Sequence, residues 1–214
     1  MAIWIDALLV LLLVLNLSIL GSARLRTCIR VVAVQGIVLG VLPLLVRSSA
    51  PDWRALVLAG VSILLKAAVF PWLLGRAVRT LSITSEVEPY VGFPLSLLAG
   101  LALLGLSVAG AGRLPALGPQ ASALTVPAAL FTLLVGLFVI VTRKKAVTQV
   151  LGYLAMENGI YAFGMALAVE EPFLVEMGIL LDVFVGVFVM GIVIYHISRE
   201  FDHVDTDRLT ALKD

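Results

Sequence analysis

The sequence predicts an all-α, polytopic membrane protein with about seven transmembrane helices. Three observations lead to this fold class. Hydrophobic residues make up 61% of the 214 residues, and only 14% are charged, against roughly 25% in an average protein. The mean hydropathy is +1.12. Apolar stretches recur along the whole chain, and several reach the length of about 20 residues that a helix needs to cross a bilayer.

The seven predicted spans are separated by short polar or turn-forming segments. They lie at about residues 4–22, 29–47, 54–75, 93–112, 124–142, 146–168 and 173–197. Each is expected to be helical, because backbone polar groups inside a bilayer must bond to one another. Residues 1–6 lack the basic cluster of a cleaved signal peptide, so the first span is expected to be retained. The chain is therefore expected to be one transmembrane domain, 1–214, that ends in a tail at 198–214.

The distribution of basic residues predicts the orientation. With the N-terminus outside, the cytoplasmic segments carry eleven Lys and Arg residues and the outer segments carry three. The positive-inside rule then predicts an N-out, C-in topology with the tail at 198–214 in the cytoplasm. The expected location is the inner or plasma membrane, which the chain crosses several times.

Composition also argues against several classes of function. A net charge of +1 gives no electrostatic footprint for nucleic acid. Cys28 is the only cysteine, and His196 and His203 both lie near the C-terminus, so no disulfide, cluster or metal site is expected in this chain. The sequence has no nucleophile motif or phosphate-binding loop, and we do not expect it to be an enzyme by itself.

Ionisable residues inside the predicted spans are the candidates for function. Lys66, Glu157 and Asp182 each lie about half-way along the third, sixth and seventh spans, and Glu176 lies nearer the outer end of the seventh. Placing such a group near mid-membrane costs about 2.5–3.5 kcal/mol on insertion scales, and it usually faces the interior of the bundle. We expect Lys66, Glu157 and Asp182 to form a proton path. Glu176 is read either as a supporting residue or as an interfacial carboxylate.

The sixth span places several polar groups on one face. Tyr153, Glu157 and Tyr161 are spaced i, i+4, i+8, and Asn158 is adjacent. A carboxyl beside phenols and an amide could hold or pass a proton. The alternative is a structural hydrogen bond that ties two helices together.

The second and third spans carry the other candidates. Pro71 is expected to kink the third span one turn after Lys66, which favours a gated proton site, while the alternative is a lysine that snorkels to the surface. Gln35 is an uncharged candidate in the second span. The adjacent Gly36 and Gly40 are expected to pack against another helix.

Several motifs resemble the hydrogenase-4 component E family. They are residues 151–161 (LGYLAMENGIY), 176–188 (EMGILLDVFVGVF), the tail at 199–209, and the shorter 24–26 and 34–36. The resemblance runs along the chain and is strongest over about the last 75 residues.

Spans five to seven also resemble the small three-helix subunit of complex I and its counterpart in multisubunit sodium/proton antiporters. That subunit has a Leu-Gly-x-Glu motif on its second helix. In this chain Leu154 occupies the position of that glutamate, and Glu157 follows one helical turn later. Asp182 approximates the acid of the third helix.

The resemblance implies a membrane-arm subunit of a group 4 hydrogenase or a related complex I-like assembly. The expected partners are antiporter-like and small helical subunits, the lipid bilayer, and a cytoplasmic redox arm that the tail at 198–214 could contact. Iron–sulfur clusters and a metal centre are expected in partner subunits, with no cofactor in this chain. The expected function is a proton or cation path coupled to a redox reaction elsewhere. The alternatives are a purely structural bridging subunit, a component of a multisubunit cation/proton antiporter, and a stand-alone transporter.

Overall fold

Helices make up most of the described part of the chain. The computed structural model describes residues 2–46, 53–80, 87, 89–113 and 122–167. In chain order the elements are α1 (Ala2–Gly21), α2 (Leu25–Val46), α3 (Trp53–Ile63), a π-helical segment (Leu64–Val69), α4 (Phe70–Thr80), α5 (Phe93–Ala111), α6 (Thr125–Thr142) and α7 (Ala146–Leu167). No β-strand occurs within these ranges, so the all-α prediction is confirmed for them.

Five helical stretches of the described part are long and apolar enough to cross a membrane. They are Ile3–Gly21, Leu25–Val46, Ala59–Arg76, Phe93–Ala111 and Thr125–Thr142, and they correspond to the first five predicted spans. The sixth predicted span coincides with α7, whose 22 residues include polar groups that lower its hydropathy. The seventh predicted span, 173–197, and the tail at 198–214 lie outside the described residues. Seven spans and the N-out orientation therefore stay predictions.

The second helix begins earlier than the sequence suggested. Its predicted start was about residue 29, but α2 begins at Leu25. Arg26 and Arg30 lie in the first two turns with exposed side chains. A long arginine side chain can keep its charged group at the surface while its stem follows the helix, so basic residues did not mark the end of the helix.

The third predicted span is a continuous helical rod with a wide turn in its middle. Residues 53–80 pass from α3 through the π segment into α4. The backbone N–H of Phe70 donates to the carbonyl oxygen of Leu65, five residues earlier. Pro71, which has no N–H to donate, follows directly. The irregularity predicted at Pro71 thus lies one turn earlier, as a π-helical turn around Lys66, and such turns often occur at functional sites.

The core of the bundle is formed mainly by α1, α2, α6 and α7. Buried apolar side chains form two clusters, one toward the α1–α2 turn and one toward the start of α1. The first cluster also includes Phe70, Leu74 and Val78 of α4. The outer faces are also apolar: Trp4 is 70% exposed on α1 and Leu98 is 62% exposed on α5. Exposed apolar faces of this kind are expected where a helix meets lipid or another membrane subunit.

Glycines bring α6 and α7 into direct backbone contact. A Cβ atom at Gly136 would overlap the backbone of Met156, and one at Gly159 would overlap the backbone of Leu133. At Gly152 it would lie 2.9 Å from the carbonyl oxygen of Gly136. Small residues at such contacts are typical of tightly packed transmembrane helix pairs. This close contact therefore fixes the position of the polar face of α7 relative to α6.

Arg143 is a buried arginine at the end of the bundle where the chain passes from α6 to α7. Arg143 is 1% exposed, and it donates to the carbonyl oxygens of Leu20 at 3.2 Å and Val91 at 3.5 Å. Its guanidinium carbon lies 5.4 Å from the centre of the Phe93 ring. Burial lowers the pKa of Arg143 from its ordinary value. The sequence placed this residue only among the eleven basic residues of the predicted cytoplasmic segments, whereas its side chain joins three segments.

Candidate functional site

The two ionisable residues predicted in the third and sixth spans meet in the structure. The ammonium Nζ of Lys66 lies 3.1 Å from Oε1 of Glu157 and donates a hydrogen bond of 3.1 Å to Oδ1 of Asn158. Lys66 is 5% exposed, and Glu157 and Asn158 are each 2% exposed. The snorkelling alternative for Lys66 is therefore wrong, because the lysine points into the bundle rather than to the surface.

Tyr161 completes this polar group on the side of α7. Nζ of Lys66 lies 5.1 Å from the centre of the Tyr161 ring, within the range of a cation–π contact. Tyr161 and Glu157 are four residues apart, as the predicted face of the sixth span required. The structure thus brings together Lys66, Glu157, Asn158 and Tyr161, which we call the Lys66 cluster.

The surroundings of the Lys66 cluster are apolar. A cavity of about 10 Å³ lies beside Lys66 and Glu157, walled by side chains such as Val32, Phe70 and Leu154. That volume is near the lower limit for a single water molecule. Charges in such a setting interact more strongly than in water, and each is costly without the other.

Two glycines allow α2 to approach the Lys66 cluster. A Cβ atom at Gly36 would lie 2.5 Å from Cβ of Lys66, and one at Gly40 would overlap the side chain of Ile63. The prediction that these glycines pack against another helix is confirmed. Because Gly36 contacts Lys66 itself, α2 supports the position of the lysine.

Gln35 belongs to a different polar group. Its Nε2 donates to Oδ1 of Asn16 at 2.9 Å, and Nδ2 of Asn16 donates to Oγ1 of Thr132 at 2.7 Å. All three side chains are fully buried, and the chain of bonds joins α2, α1 and α6. The sequence interpretation missed Asn16 and Thr132, although Asn16 is the one amide in the first predicted span.

The remaining predicted residues are not placed in the Lys66 cluster. Tyr153 is half-buried and packs against the apolar cluster near the α1–α2 turn. Asp182 and Glu176 lie outside the described residues. Within those residues, no group of three or more His, Cys, Asp or Glu side chains could hold a metal ion.

The C-terminal part of the chain matches a known protein family. Residues 119–214 match the family described as NADH-ubiquinone/plastoquinone oxidoreductase chain 4L. This region contains Glu157, Asn158 and Tyr161, whereas Lys66 lies before it. The ion pair therefore joins the matched region to the N-terminal part of the chain.

Two relatives extend this comparison. The uncharacterized protein Rv0085 of Mycobacterium tuberculosis is 37% identical over 203 residues, which are 93% of this chain and 91% of that protein. Hydrogenase-4 component E of Escherichia coli is 40% identical over 80 residues, which are 37% of each chain. The predicted resemblance to component E is thus supported over about a third of the chain rather than along all of it. No solved structure is a significant match.

Proposed function

Because the chain belongs to the family of the mycobacterial protein Rv0085, and its residues 119–214 match the chain 4L family, we propose that it is a proton-relay subunit in the membrane arm of a complex I-like assembly. The chain is a membrane protein related to subunits of oxidoreductase complexes. It is therefore treated as a subunit of such a complex rather than as an enzyme by itself.

The buried pair of Lys66 and Glu157 is the observation that carries this proposal. Their charged atoms are 3.1 Å apart in an apolar layer. Transfer of one proton from the ammonium to the carboxylate would make both groups neutral, so the pair can exist in two states that differ in local charge but not in total charge. A charge change in a neighbouring subunit would favour one state over the other, which is the property that a relay requires.

A small cavity and a larger cleft share wall residues on the side predicted to be cytoplasmic. Ile29 and Pro71 wall the small cavity beside Lys66, and the same two residues line a larger cleft between the start of α2 and the end of α4. We propose that protons enter from this cleft. The proposal also includes Asp182 in the proton path, and supporting roles for Gln35, Tyr153 and Glu176.

The proposal extends to partners and cofactors. Antiporter-like and small helical subunits would cover the apolar outer faces of α1 and α5, and the redox arm would contact the tail at 198–214. Iron–sulfur clusters and the metal centre would belong to those partners. The membrane would be the inner or plasma membrane.

Two experiments test these statements separately. Affinity purification of the tagged full-length chain from its native membrane, followed by mass spectrometry, should recover iron–sulfur and antiporter-like proteins. Recovery of the chain alone, stable and active in liposomes, would contradict membership in a complex.

The second experiment tests the relay. Glu157→Gln keeps an oxygen that can accept a hydrogen bond from Lys66, so complexes should still assemble, in lower yield because the ammonium loses its counter-charge, and proton pumping per redox turnover should fall in the complexes that assemble. Asp6→Asn is the matched control, because Asp6 is the other carboxylate in the described part and bonds to Ser122 instead. Normal pumping in an assembled Glu157→Gln complex would contradict the relay.

A structural bridging role is the second candidate, and the same contacts favour it. The Lys66 cluster ties the π segment to α7, and Gly36 seats α2 on the same lysine. Under this alternative, changing Glu157 should harm assembly and leave the coupling of the complexes that do assemble unchanged.

A further inference from the structure

A basic cleft lies apart from the Lys66 cluster, at the end of the bundle where α2 begins and α4 ends. Its volume is about 500 Å³, and Arg26, Arg30 and Arg79 line it. That volume falls within the usual range for small-molecule sites, about 300–1,000 Å³. The positive-inside rule predicts that this end of the two helices is on the cytoplasmic side.

The three arginines lack acidic partners within the described ranges. Asp6 and Glu157 are the two acidic residues in those ranges; the first bonds to Ser122 and the second pairs with Lys66. All three arginine side chains are exposed. Planar guanidinium groups bind phosphate through paired N–H donors, so the cleft has the charge and the donors for a phosphate group.

Apart from its arginines, the cleft is lined mainly by apolar residues. Ile29, Pro71 and Val78 contribute to its walls. Trp72 also lines it and is 58% exposed, and the Arg76 guanidinium carbon lies 5.7 Å from the Trp72 ring. A tryptophan beside arginines is typical of the membrane–water interface. A soluble anion would leave these apolar walls uncovered.

We propose that this basic cleft binds an anionic phospholipid, with the headgroup phosphate on Arg26, Arg30 and Arg79 and an acyl chain beside Trp72. Basic pockets between transmembrane helices on the cytoplasmic side are known to hold anionic headgroups. The lipid proposal does not depend on the proton relay, because none of the three arginines belongs to the Lys66 cluster. Since the same cleft is the proposed proton entrance, a bound lipid would lie beside that entrance.

Native mass spectrometry of the purified full-length chain tests the proposal. The probes are phosphatidylglycerol and, as its zwitterionic counterpart, phosphatidylcholine. The wild-type chain should retain phosphatidylglycerol in preference. Arg26→Gln/Arg30→Gln should weaken that binding about thirtyfold, since each basic residue near the surface contributes about fivefold. Arg24→Gln/Arg113→Gln removes the same charge from residues that do not line the cleft and should leave binding unchanged. If the first variant fails to fold, Arg79→Gln replaces it.

Four results would overturn the proposal. Equal retention of both lipids would show that the cleft does not recognise an anionic headgroup, and equal losses in the cleft and control variants would show a nonspecific charge effect. If inorganic phosphate displaced the lipid, the cleft would be a soluble-anion site. A phosphatidylglycerol preference that arose only in Asp205→Asn/Asp207→Asn would show that the acidic tail occupies the cleft in the native chain.

Discussion

Replacing Lys66 and Glu157 separately and together measures how their ion pair affects the stability of the complex and its proton pumping. Two unit charges 3.1 Å apart attract by about 5 kcal/mol at an effective dielectric constant of about 20. Removing one partner from a buried pair leaves the other charge uncompensated, at a typical cost of about 3–5 kcal/mol. Replacing both partners by apolar side chains of similar volume is often neutral or stabilising.

We therefore expect Lys66→Met and Glu157→Leu each to reduce the yield and thermal stability of the assembled complex. The double variant should recover most of that loss, because it contains no bare buried charge. Proton pumping should be lost in all three variants, since neither a carboxyl nor an amine alone completes the relay. Loss of pumping in a stable double variant would separate the relay from a purely structural role.

Three measurements follow each variant. Native gel electrophoresis of solubilised membranes gives the amount of assembled complex, redox turnover gives its activity, and quenching of a pH-sensitive dye in inverted vesicles gives pumping. A double variant that assembles, turns over and pumps like the wild type would refute the relay. A double variant no more stable than either single variant would refute the electrostatic reasoning, because the losses would then come from packing.

Three further predictions concern the scaffold, and thermal unfolding of the purified chain checks each. Gly159→Ala should lower the free energy of unfolding by about 1–3 kcal/mol, as overpacking does, because the added Cβ would overlap the backbone of α6. The control Gly105→Ala should be tolerated, because a Cβ there has nothing within 4 Å. Equal effects of the two substitutions would contradict the close contact at Gly159. Asn16→Ala should cost about 1–3 kcal/mol, because its buried glutamine and threonine partners lose hydrogen bonds; an unchanged melting temperature would mean that those partners find other bonds. Arg143→Met should destabilise the chain by a similar amount, because the two hydrogen bonds to carbonyl oxygens are lost. The control Lys144→Met, at an exposed residue, should not. A neutral result at Arg143 would show that these hydrogen bonds contribute no net stability.

The sequence was sufficient to predict the helices of the described part of the chain and to single out all four residues of the Lys66 cluster. Hydropathy identifies spans because the bilayer excludes unbonded backbone. Lys66 and Glu157 stand out because charge is costly at that depth. Their pairing could not be derived, since they are 91 residues apart and the contact depends on how α2, α7 and the π segment pack.

Other features were missed for related reasons. Asn16 and Thr132 are uncharged, so their insertion cost does not separate them from ordinary helix residues. Arg143 was counted as a surface charge because the residues that bury it, near Leu20 and Phe93, are distant in sequence. Pro71 signalled an irregular helix correctly, but a proline does not specify whether the backbone responds with a bend or with a wider turn.

The π segment also sets the direction in which the end of the rod faces. Lys66 and Arg79 are thirteen residues apart, and in an unbroken α-helix that separation would place them about 220° apart around the axis. A π turn closes one residue later, so the whole turn removes about 100° of rotation. Lys66 lies within Leu64–Val69, and the part of the turn that follows it reduces this angle. The same helical segment can thus direct Lys66 toward α7 and Arg79 toward the beginning of α2. The angular offset between these two positions is therefore a property of the backbone, and exchanging side chains elsewhere in α4 would not alter it.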